Sequence, residues 1–394
     1  MSKKKLPIVA FSIHPWDEPQ WMNRQQLLSR LAKRGWPVYY CTGALDWWSR
    51  GGDGWNSAGY RVNSYSLDGV TIIEAGKLTP TWQRSKILSN WSINRYCNSI
   101  KRLVGMEGDN FIGLIFHPAF EPYFNVLKPK YVHFHAYDLY WKMGKWDDAD
   151  DASLKKLTGY CDLITATSQT VKDELFDLVS VEAKLLLNGA DIEKFGAVFD
   201  SVPYDLVDIP HPRIANIGTL NGKMDLVTIE SVAKVRPKWH WVFVGRVAEQ
   251  ELLMDEYNKA AYLSLKELPN IHFLGEKHRS LMPEYVGNMD VLTIVYKTGK
   301  DSWAYGGFPL KLVEYLASGL PVISSPLLVI KQFFSEVVLQ ADDKEQWIDS
   351  INSALQNSDS GIKNKRSTVA LGHSWDKRVD QLENDYLKMI EGSG

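Results

Sequence analysis

Short apolar runs alternate with longer amphipathic stretches from one end of the chain to the other. In the first half the runs are Pro7-Ile-Val-Ala-Phe-Ser, Pro37-Val-Tyr-Tyr-Cys, Gly69-Val-Thr-Ile-Ile, Phe111-Ile-Gly-Leu-Ile-Phe, Tyr131-Val-His-Phe-His-Ala and Asp162-Leu-Ile-Thr-Ala-Thr. Between the first two, Leu27, Leu28, Leu31 and Ala32 recur at helical spacing and stop at Gly35, which predicts a helix closed by a glycine. Strand, helix and strand repeated in this way predict parallel sheets with crossover helices.

The periodicity lapses over residues 196–212, where Gly196, Pro203, Pro210 and Pro212 predict a linker. It then restarts with Arg213-Ile-Ala-Asn-Ile-Gly, Trp239-His-Trp-Val-Phe-Val-Gly, Asn270-Ile-His-Phe-Leu-Gly, Asp290-Val-Leu-Thr-Ile-Val-Tyr, Leu320-Pro-Val-Ile-Ser and Val337-Val-Leu-Gln. From Ser374, a plausible N-cap, Val379, Leu382, Tyr386 and Ile390 fall on one helical face. The expected layout is an α/β domain over 1–198, a linker at 199–212, a second α/β domain over 213–373 and a final helix over 374–394. Ligands of open α/β sheets collect at the carboxyl ends of strands. That directs attention to His14, His117, His135, Asp138, Ser168, Asn188, Gly218, Gly245, Arg246, Gly275 and Tyr296. Two such domains facing each other across a cleft make the usual place for a small-molecule site.

Length and composition agree with two globular domains: 394 residues, 45% hydrophobic, 23% charged and a net charge of −2. Disordered, collagen-like and disulfide-stapled classes are excluded. Cys41, Cys97 and Cys161 are too few and too scattered for a disulfide framework, and suit a reducing cytosol. No apolar run reaches the length of about 18 residues that a membrane span needs. Met1-Ser-Lys-Lys-Lys-Leu-Pro has the basic flank of a signal peptide, but the following stretch breaks at Pro7, His14 and Pro15, so no export signal is expected.

Charge is unevenly placed. Residues 1–105 hold 15 Lys/Arg against 6 Asp/Glu, whereas residues 106–394 hold 30 against 41. Ten of the fifteen tryptophans precede residue 147. Basic residues interleaved with Trp suit an anionic membrane surface or nucleic acid; the plain alternative is a solvated positive face over core tryptophans. No zinc-finger spacing or RNA-binding aromatic signature accompanies the charge, so nucleic acid is not expected as a partner.

The dinucleotide fingerprint G-x-G-x-x-G after a strand, the P-loop and the G-x-S-x-G elbow are all absent, which argues against a dehydrogenase, a nucleotide triphosphatase and a serine hydrolase. The strongest local signal is Gly306-Gly-Phe-Pro-Leu-Lys-Leu-Val-Glu-Tyr-Leu-Ala-Ser-Gly-Leu-Pro-Val-Ile. Two glycines predict a tight loop, and Pro309 suits the first helical position, where its missing N–H costs nothing. The free amides of the first turn make an anion site. Lys311 can add a charge to a diphosphate, and Glu314, three residues on, can accept two ribose hydroxyls. The alternative is an ordinary surface i,i+3 pair.

Phe308-Pro-Leu-Lys-Leu-Val-Glu-Tyr-Leu-Ala-Ser-Gly-Leu-Pro-Val resembles the donor-binding signature of the two-domain GT-B glycosyltransferases, and among them the group-1 and glucuronosyltransferase-like enzymes of bacterial polysaccharide synthesis. Trp21-Met-Asn-Arg-Gln-Gln-Leu-Leu-Ser-Arg-Leu-Ala-Lys-Arg-Gly is similar to the family's first helix. Ala166-Thr-Ser and Leu187-Asn-Gly-Ala-Asp resemble the last strands of its N-terminal domain. Ile217-Gly-Thr-Leu-Asn-Gly-Lys resembles the opening of its C-terminal domain, and His373-Ser-Trp the start of the tail helix that crosses back.

The resemblance implies Glu314 on the donor ribose, Lys311 with Phe308, Pro309 and Leu310 around the diphosphate, and Tyr296 near the nucleotide. It places the loop after Gly218, with Lys223, near the phosphates and the backbone after Gly275 against the base. Arg246 reaches either the phosphates or a surface carboxylate. One departure stands out: many group-1 enzymes carry an acid eight positions before the glutamate, where this chain has Gly306, with Asp301 nearby as a substitute.

On the acceptor side, alternation points His133 and His135 the same way from one strand, with Asp138 just past its end. The segment resembles the strand end of related polysaccharide enzymes in which an aspartate acts as base. An inverting transfer needs a base for the acceptor hydroxyl; Asp138 is favoured, with His135 next. No third ligand accompanies the two histidines, which argues against a metal. Trp16, Asp17 and Glu18 can touch the acceptor or simply lead into the first helix, and His117 is placed on the same side. Asp147-Asp-Ala-Asp-Asp reads as a solvated helix start rather than a metal triplet.

The function expected is transfer of a sugar from a nucleotide-sugar, UDP-sugar ahead of GDP-sugar, to a glycan or lipid-linked acceptor. No cofactor and no metal are expected. The location expected is the cytoplasm, extending to the cytoplasmic face of the inner membrane through the basic N-terminal region. Domain closure would exclude water from the activated donor. Two rivals are an epimerase on the same fold and a non-catalytic nucleotide-sugar-binding scaffold.

Overall fold

The computed structural model describes residues 5–18, 21–82, 84–105, 109–142, 146–197, 199, 201–299, 302, 306–357 and 359–392. It divides into two compact units, Met1–Leu186 with Arg378–Gly394, and Leu187–Lys377.

The first unit is built on β1 (Ile8–Phe11), β2 (Val38–Cys41), β3 (Asn63–Leu67), β4 (Val70–Glu74), β5 (Ile112–Ile115), β6 (Tyr131–Ala136), β7 (Leu163–Ala166) and β8 (Lys184–Leu185). They form one sheet in the order β3-β4-β2-β1-β5-β6-β7-β8. β1, central in the sheet, pairs in parallel with β2 on one side and β5 on the other, with Ala10 opposite Tyr40 and Leu114. The order reverses there, which makes the carboxyl end of β1 a topological switch point. Every residue of β1, β5, β6 and β7 is buried, as expected of parallel strands covered on both faces. Under them Phe11 packs against Phe120, Tyr123 and Phe124 with ring centroids 5.3–5.5 Å apart.

One pair departs from the expected all-parallel sheet. β3 runs antiparallel to β4, joined by Asp68 and Gly69, both with positive φ (54° and 81°). This two-residue turn matches the hairpin geometry that Asp-Gly favours. β3 is a largely exposed edge strand of polar composition, so hydrophobic patterning did not reveal it; the Asp-Gly pair could have.

The helix Asn23–Lys33 ends as its sequence predicts, with Gly35 at φ 85°. The final helix, Trp375–Glu391, is capped by the Ser374 hydroxyl, which accepts from the Lys377 N–H. Within the first unit it buries Val379, Leu382 and Tyr386. Glu383 binds Lys5 at 2.8 Å and accepts from the Trp36 indole at 2.8 Å.

The second unit carries β9 (Arg213–Ile217), β10 (His240–Val244), β11 (Ile271–Phe273), β12 (Val291–Ile294), β13 (Val322–Ser324) and β14 (Leu339–Gln340). They form a sheet in the order β11-β10-β9-β12-β13-β14, and every pair is parallel. Each unit is therefore Rossmann-like.

The division falls at Leu186/Leu187, earlier than the expected boundary at 198. Leu187–Asp191 is not a strand of the first sheet; Ala190 instead bridges Ser374, and the short helix Ile192–Phe195 packs on the helix Leu310–Ser318. Much of the expected linker is also fixed to the second unit: the buried Arg213 guanidinium donates to the Ile209 and Leu206 carbonyls.

Candidate active site

Three glycines end adjacent strands of the second unit. Gly218, Gly245 and Gly275 follow β9, β10 and β11 with φ of 119°, 148° and 71°. The Gly218 N–H donates to the Val244 carbonyl at 2.8 Å, and the Gly245 N–H to the Gly275 carbonyl at 2.9 Å. A Cβ on Gly245 would stand 2.2 Å from the Gly218 carbonyl oxygen, so only glycine lets the two loops close. The result is a rim of exposed backbone at the carboxyl edge of the sheet, where open α/β sheets bind ligands.

Against this rim lies the first turn of the helix Leu310–Ser318. Pro309 occupies the N-cap (φ −63°, ψ 120°), one position earlier than the sequence suggested, and the helix ends at Gly319 in the left-handed region (φ 75°). Lys311 Nζ donates to Asn216 Oδ1 at 2.5 Å, sits 5.5 Å from the centroid of the Tyr296 ring, and would be 3.6 Å from a Cβ on Gly218. Tyr296 lies beyond the end of β12 rather than on it; it bridges Met224, and the Lys297 N–H donates to the Lys223 carbonyl at 3.0 Å. These contacts gather Gly218, Lys223, Tyr296 and Lys311. Phe308 is buried edge-on against Phe334, and its carbonyl accepts from Asn188 Nδ2 at 3.4 Å.

Electrostatics single out the same pair. Burial pushes the Lys311 ammonium down to about 7, against the pull of Glu314. Burial, aided by Asp191, pushes the Glu314 carboxyl up to about 8, against the pull of Lys311. Opposed titratable groups displaced this far mark a site poised for a charged ligand. Desolvation of both side chains is what an ordinary solvated i,i+3 pair would lack. Arg246 is exposed on the loop after β10, and Lys223 lines a neighbouring groove of about 850 Å³ with Glu251, Asp255 and Lys297. Asp301 lies outside the described residues, and Gly306 is buried.

In the first unit, Asp138 follows β6 half-buried, and its Oδ1 accepts from the Leu139 N–H at 2.9 Å. His133 and His135 do point the same way: Thr165 Oγ1 is 2.7 Å from His133 Nε2 and 2.7 Å from His135 Nδ1, and His133 Nδ1 is 2.8 Å from the Tyr386 hydroxyl. Both rings are fully buried. Desolvation holds His135 down to about 3 and His133 well below its usual range, so both are neutral. His135 is thus a structural member of a buried polar chain rather than the base expected from sequence, because a ring this hard to protonate takes no proton at neutral pH.

Trp16 also departs from expectation. It is buried, donates to Asp68 Oδ2 at 3.2 Å and packs on Tyr40, so it is core and not an acceptor contact; Asp17 beside it is exposed. His117 uses Nδ1 to accept from the Ala119 N–H at 3.2 Å, capping a short turn. Asp147 caps the helix Asp148–Thr158 as a solvated helix start. Among the described residues no group of three or more His, Cys, Asp or Glu gathers as a metal site.

The structure joins two residues that the sequence reading named separately, His14 and Glu18, and adds Arg24 to them. At the carboxyl end of β1, His14 Nδ1 lies 3.1 Å from Glu18 Oε1, and the buried Arg24 binds Glu18 Oε2. Burial raises the Glu18 carboxyl, but the hydrogen bond from His14 and the charge of Arg24 outweigh it and hold the group below its usual value. Beside them Asn23 Oδ1 and Arg24 Nε have no hydrogen-bond partner among the described residues. The place of His14 and Glu18 after the first strand drew attention to both, and the burial of Arg24 was the part with no signal in the sequence.

Two Rossmann-like units, with a glycine rim and a Lys/Glu helix start in the second, define the GT-B class of fold. Residues 211–357, within the second unit, match the model described as glycosyl transferases group 1. A curated relative is TuaH of Bacillus subtilis (strain 168), named as a teichuronic acid biosynthesis glycosyltransferase, 27% identical over 170 residues. That alignment covers 42% of this chain and 41% of the relative, less than half of either.

Among solved structures, sucrose-phosphate synthase from Thermosynechococcus elongatus superposes with a TM-score of 0.71 at 16% identity, over 98% of this chain and 100% of that one. HepE from Anabaena, solved with UDP and glucose, gives 0.67 at 11% identity, over 96% and 98%. Similarity at these identities establishes the fold.

Proposed function

We propose that the chain is a nucleotide-sugar-dependent glycosyltransferase of polysaccharide or glycoconjugate synthesis. The observation that carries this reading is the Lys311–Glu314 pair, half-buried and desolvated at a helix start against the Gly218 loop. Helix amides and Lys311 neutralise the leaving diphosphate, which is electrostatic stabilisation of a developing anion. Glu314 accepts the ribose hydroxyls, and Tyr296 and the backbone after Gly275 border the nucleotide. Support for a uridine nucleotide comes from HepE, whose structure holds UDP and glucose. The donor is a substrate, and neither cofactor nor metal enters the reading. The acceptor is a glycan or lipid-linked sugar, a choice supported by the name of TuaH.

The acceptor hydroxyl forms the new bond to the anomeric carbon while the bond to the nucleotide diphosphate breaks, and the diphosphate leaves with the electron pair. Asp138 takes the hydroxyl proton in an inverting transfer. Thermal unfolding with UDP, GDP, ADP and CMP, each with and without magnesium, tests the donor site. UDP alone is expected to raise Tm without metal, because a ligand of the native state stabilises by mass action. Lys311→Ala and Glu314→Ala are expected to abolish that rise. Retention of the shift in both variants would overturn the placement of the site, and no shift with any nucleotide would favour a scaffold. Turnover of donor with no acceptor would favour the epimerase.

A further inference from the structure

The helix Lys86–Val104 presents two apolar faces. The inner one, Ile93, Tyr96, Cys97 and Ile100, is buried at the i, i+3, i+4, i+7 spacing of a core-facing stripe. Opposite it, over the first turns, Ile87 is 83% exposed, Trp91 50% and Leu88 45%. An outer face of this kind is normally polar. Arg95 stacks over the Trp91 ring at 5.3 Å.

A second aromatic group adjoins this face. Trp48 is 52% exposed with the Arg84 guanidinium 4.9 Å above its ring. Trp47 stacks on Trp82 at 4.4 Å and carries Arg50 at 4.2 Å. Ser89, on the helix, accepts from the Trp82 N–H at 2.9 Å and donates to its carbonyl at 2.8 Å, which ties the loop to the helix. From Ala75 to Gly105 the chain carries Lys77, Arg84, Lys86, Arg95, Lys101 and Arg102, and no Asp or Glu.

We infer that this surface docks on an anionic phospholipid bilayer. Aliphatic and Trp side chains ringed by arginine match the interface between acyl chains and charged headgroups. Charge complementarity selects the occupant: Arg50, Arg84 and Arg95 and the acid-free stretch 75–105 outweigh Asp46 and Asp53, which flank Trp48 in the chain, and a zwitterionic surface or a neutral protein groove has no use for that excess of positive charge. Nucleic acid would stack on the tryptophans but gives Ile87 and Leu88 nothing to bury against. The inference deepens the proposed function, since a bilayer is where a lipid-linked acceptor is presented, and it rests on that reading only for its purpose.

Sedimentation of the full chain with vesicles tests it, using phosphatidylcholine alone and a phosphatidylcholine–phosphatidylglycerol mixture. Binding is expected to the mixture and not to phosphatidylcholine, and to weaken in raised salt. The pair Arg84→Gln with Arg95→Gln is expected to lower partitioning roughly 25-fold, about fivefold per arginine. The pair Ile87→Gln with Trp91→Gln is expected to lower it about tenfold. All four side chains face solvent, and an unchanged Tm confirms that each variant is folded. Absence of binding, equal binding to both vesicles, undiminished binding by folded variants, or preference for single-stranded nucleic acid would each overturn the inference. A chain that binds the mixed vesicles but shows no nucleotide-induced rise in Tm keeps the docking surface and loses the transfer reading.

Discussion

Lys311 Nζ is held by Asn216 Oδ1 at 2.5 Å, a bond from a helix start to the strand β9 beside it. The amide is neutral, so it orients the ammonium without cancelling the charge that a diphosphate would meet. Removing water is what makes that charge costly in the empty site, and what makes an anion welcome.

Nucleotide binding should therefore depend on pH in a definite direction. Desolvation pushes the Lys311 ammonium down to about 7, and a diphosphate beside it would raise that value, so binding is expected to take up a proton. The affinity for UDP is expected to fall by up to about tenfold per pH unit above 7. Calorimetric titration from pH 7 to 8.5 checks this, a range in which the terminal phosphate, with its second ionisation near 6, is already charged. Lys311→Met is expected to give no measurable binding at any pH in this range, as Lys311→Ala is expected to give no rise in Tm.

Glu314 makes the stability of the second unit itself depend on pH. Its folded value, about 8, lies above the ordinary 4.5, so its contribution to stability is full below 4.5 and lost as pH rises through 8. Glu314→Gln is expected to flatten this dependence and, at pH 8.5, to melt about 2–4 °C above the parent. That is the shift from roughly 1 kcal/mol in a unit of this size, after allowance for solvent screening. Thermal scans at pH 5 and 8.5 measure it.

Gly245→Ala tests the glycine rim. The new Cβ meets the Gly218 carbonyl at 2.2 Å in a backbone region closed to side chains (φ 148°). A loss of about 2–4 kcal/mol in urea unfolding is expected, together with weaker UDP binding as the loops part. Gly275→Ala meets nothing within 4 Å and should cost less, from its φ alone.

Asp138 and His135 separate by kinetics. Asp138→Asn is expected to lower kcat about 100-fold or more at unchanged donor KM. His135→Asn leaves Thr165 with a lost partner in the interior, and is expected to lower stability by about 1–3 kcal/mol while sparing kcat in the folded fraction. Steady-state rates paired with urea unfolding decide between them.

The sequence by itself determined the strands of both sheets other than β3 and β8, because parallel strands covered on both faces read as continuous apolar runs. It also determined the helix ends at Gly35 and Gly319, where local backbone geometry needs glycine, and singled out the segment around Lys311 and Glu314 as the proposed donor site. What it did not contain were facts that depend on distant neighbours. The edge strand Asn63–Leu67 is exposed and polar, so only pairing with Val70–Glu74 makes it a strand. Residues 187–212 have no periodicity, and their place in the second unit is set by contacts made far along the chain. His135, chosen from alternation as a base, was removed from that role by burial, and Trp16 by packing into the core. Tertiary structure alone joined His14 to Glu18 and Arg24, turned Ile87 and Trp91 outward, and shifted Lys311 and Glu314 toward neutrality. Desolvation and proximity belong to the packed chain, and no local pattern encodes them.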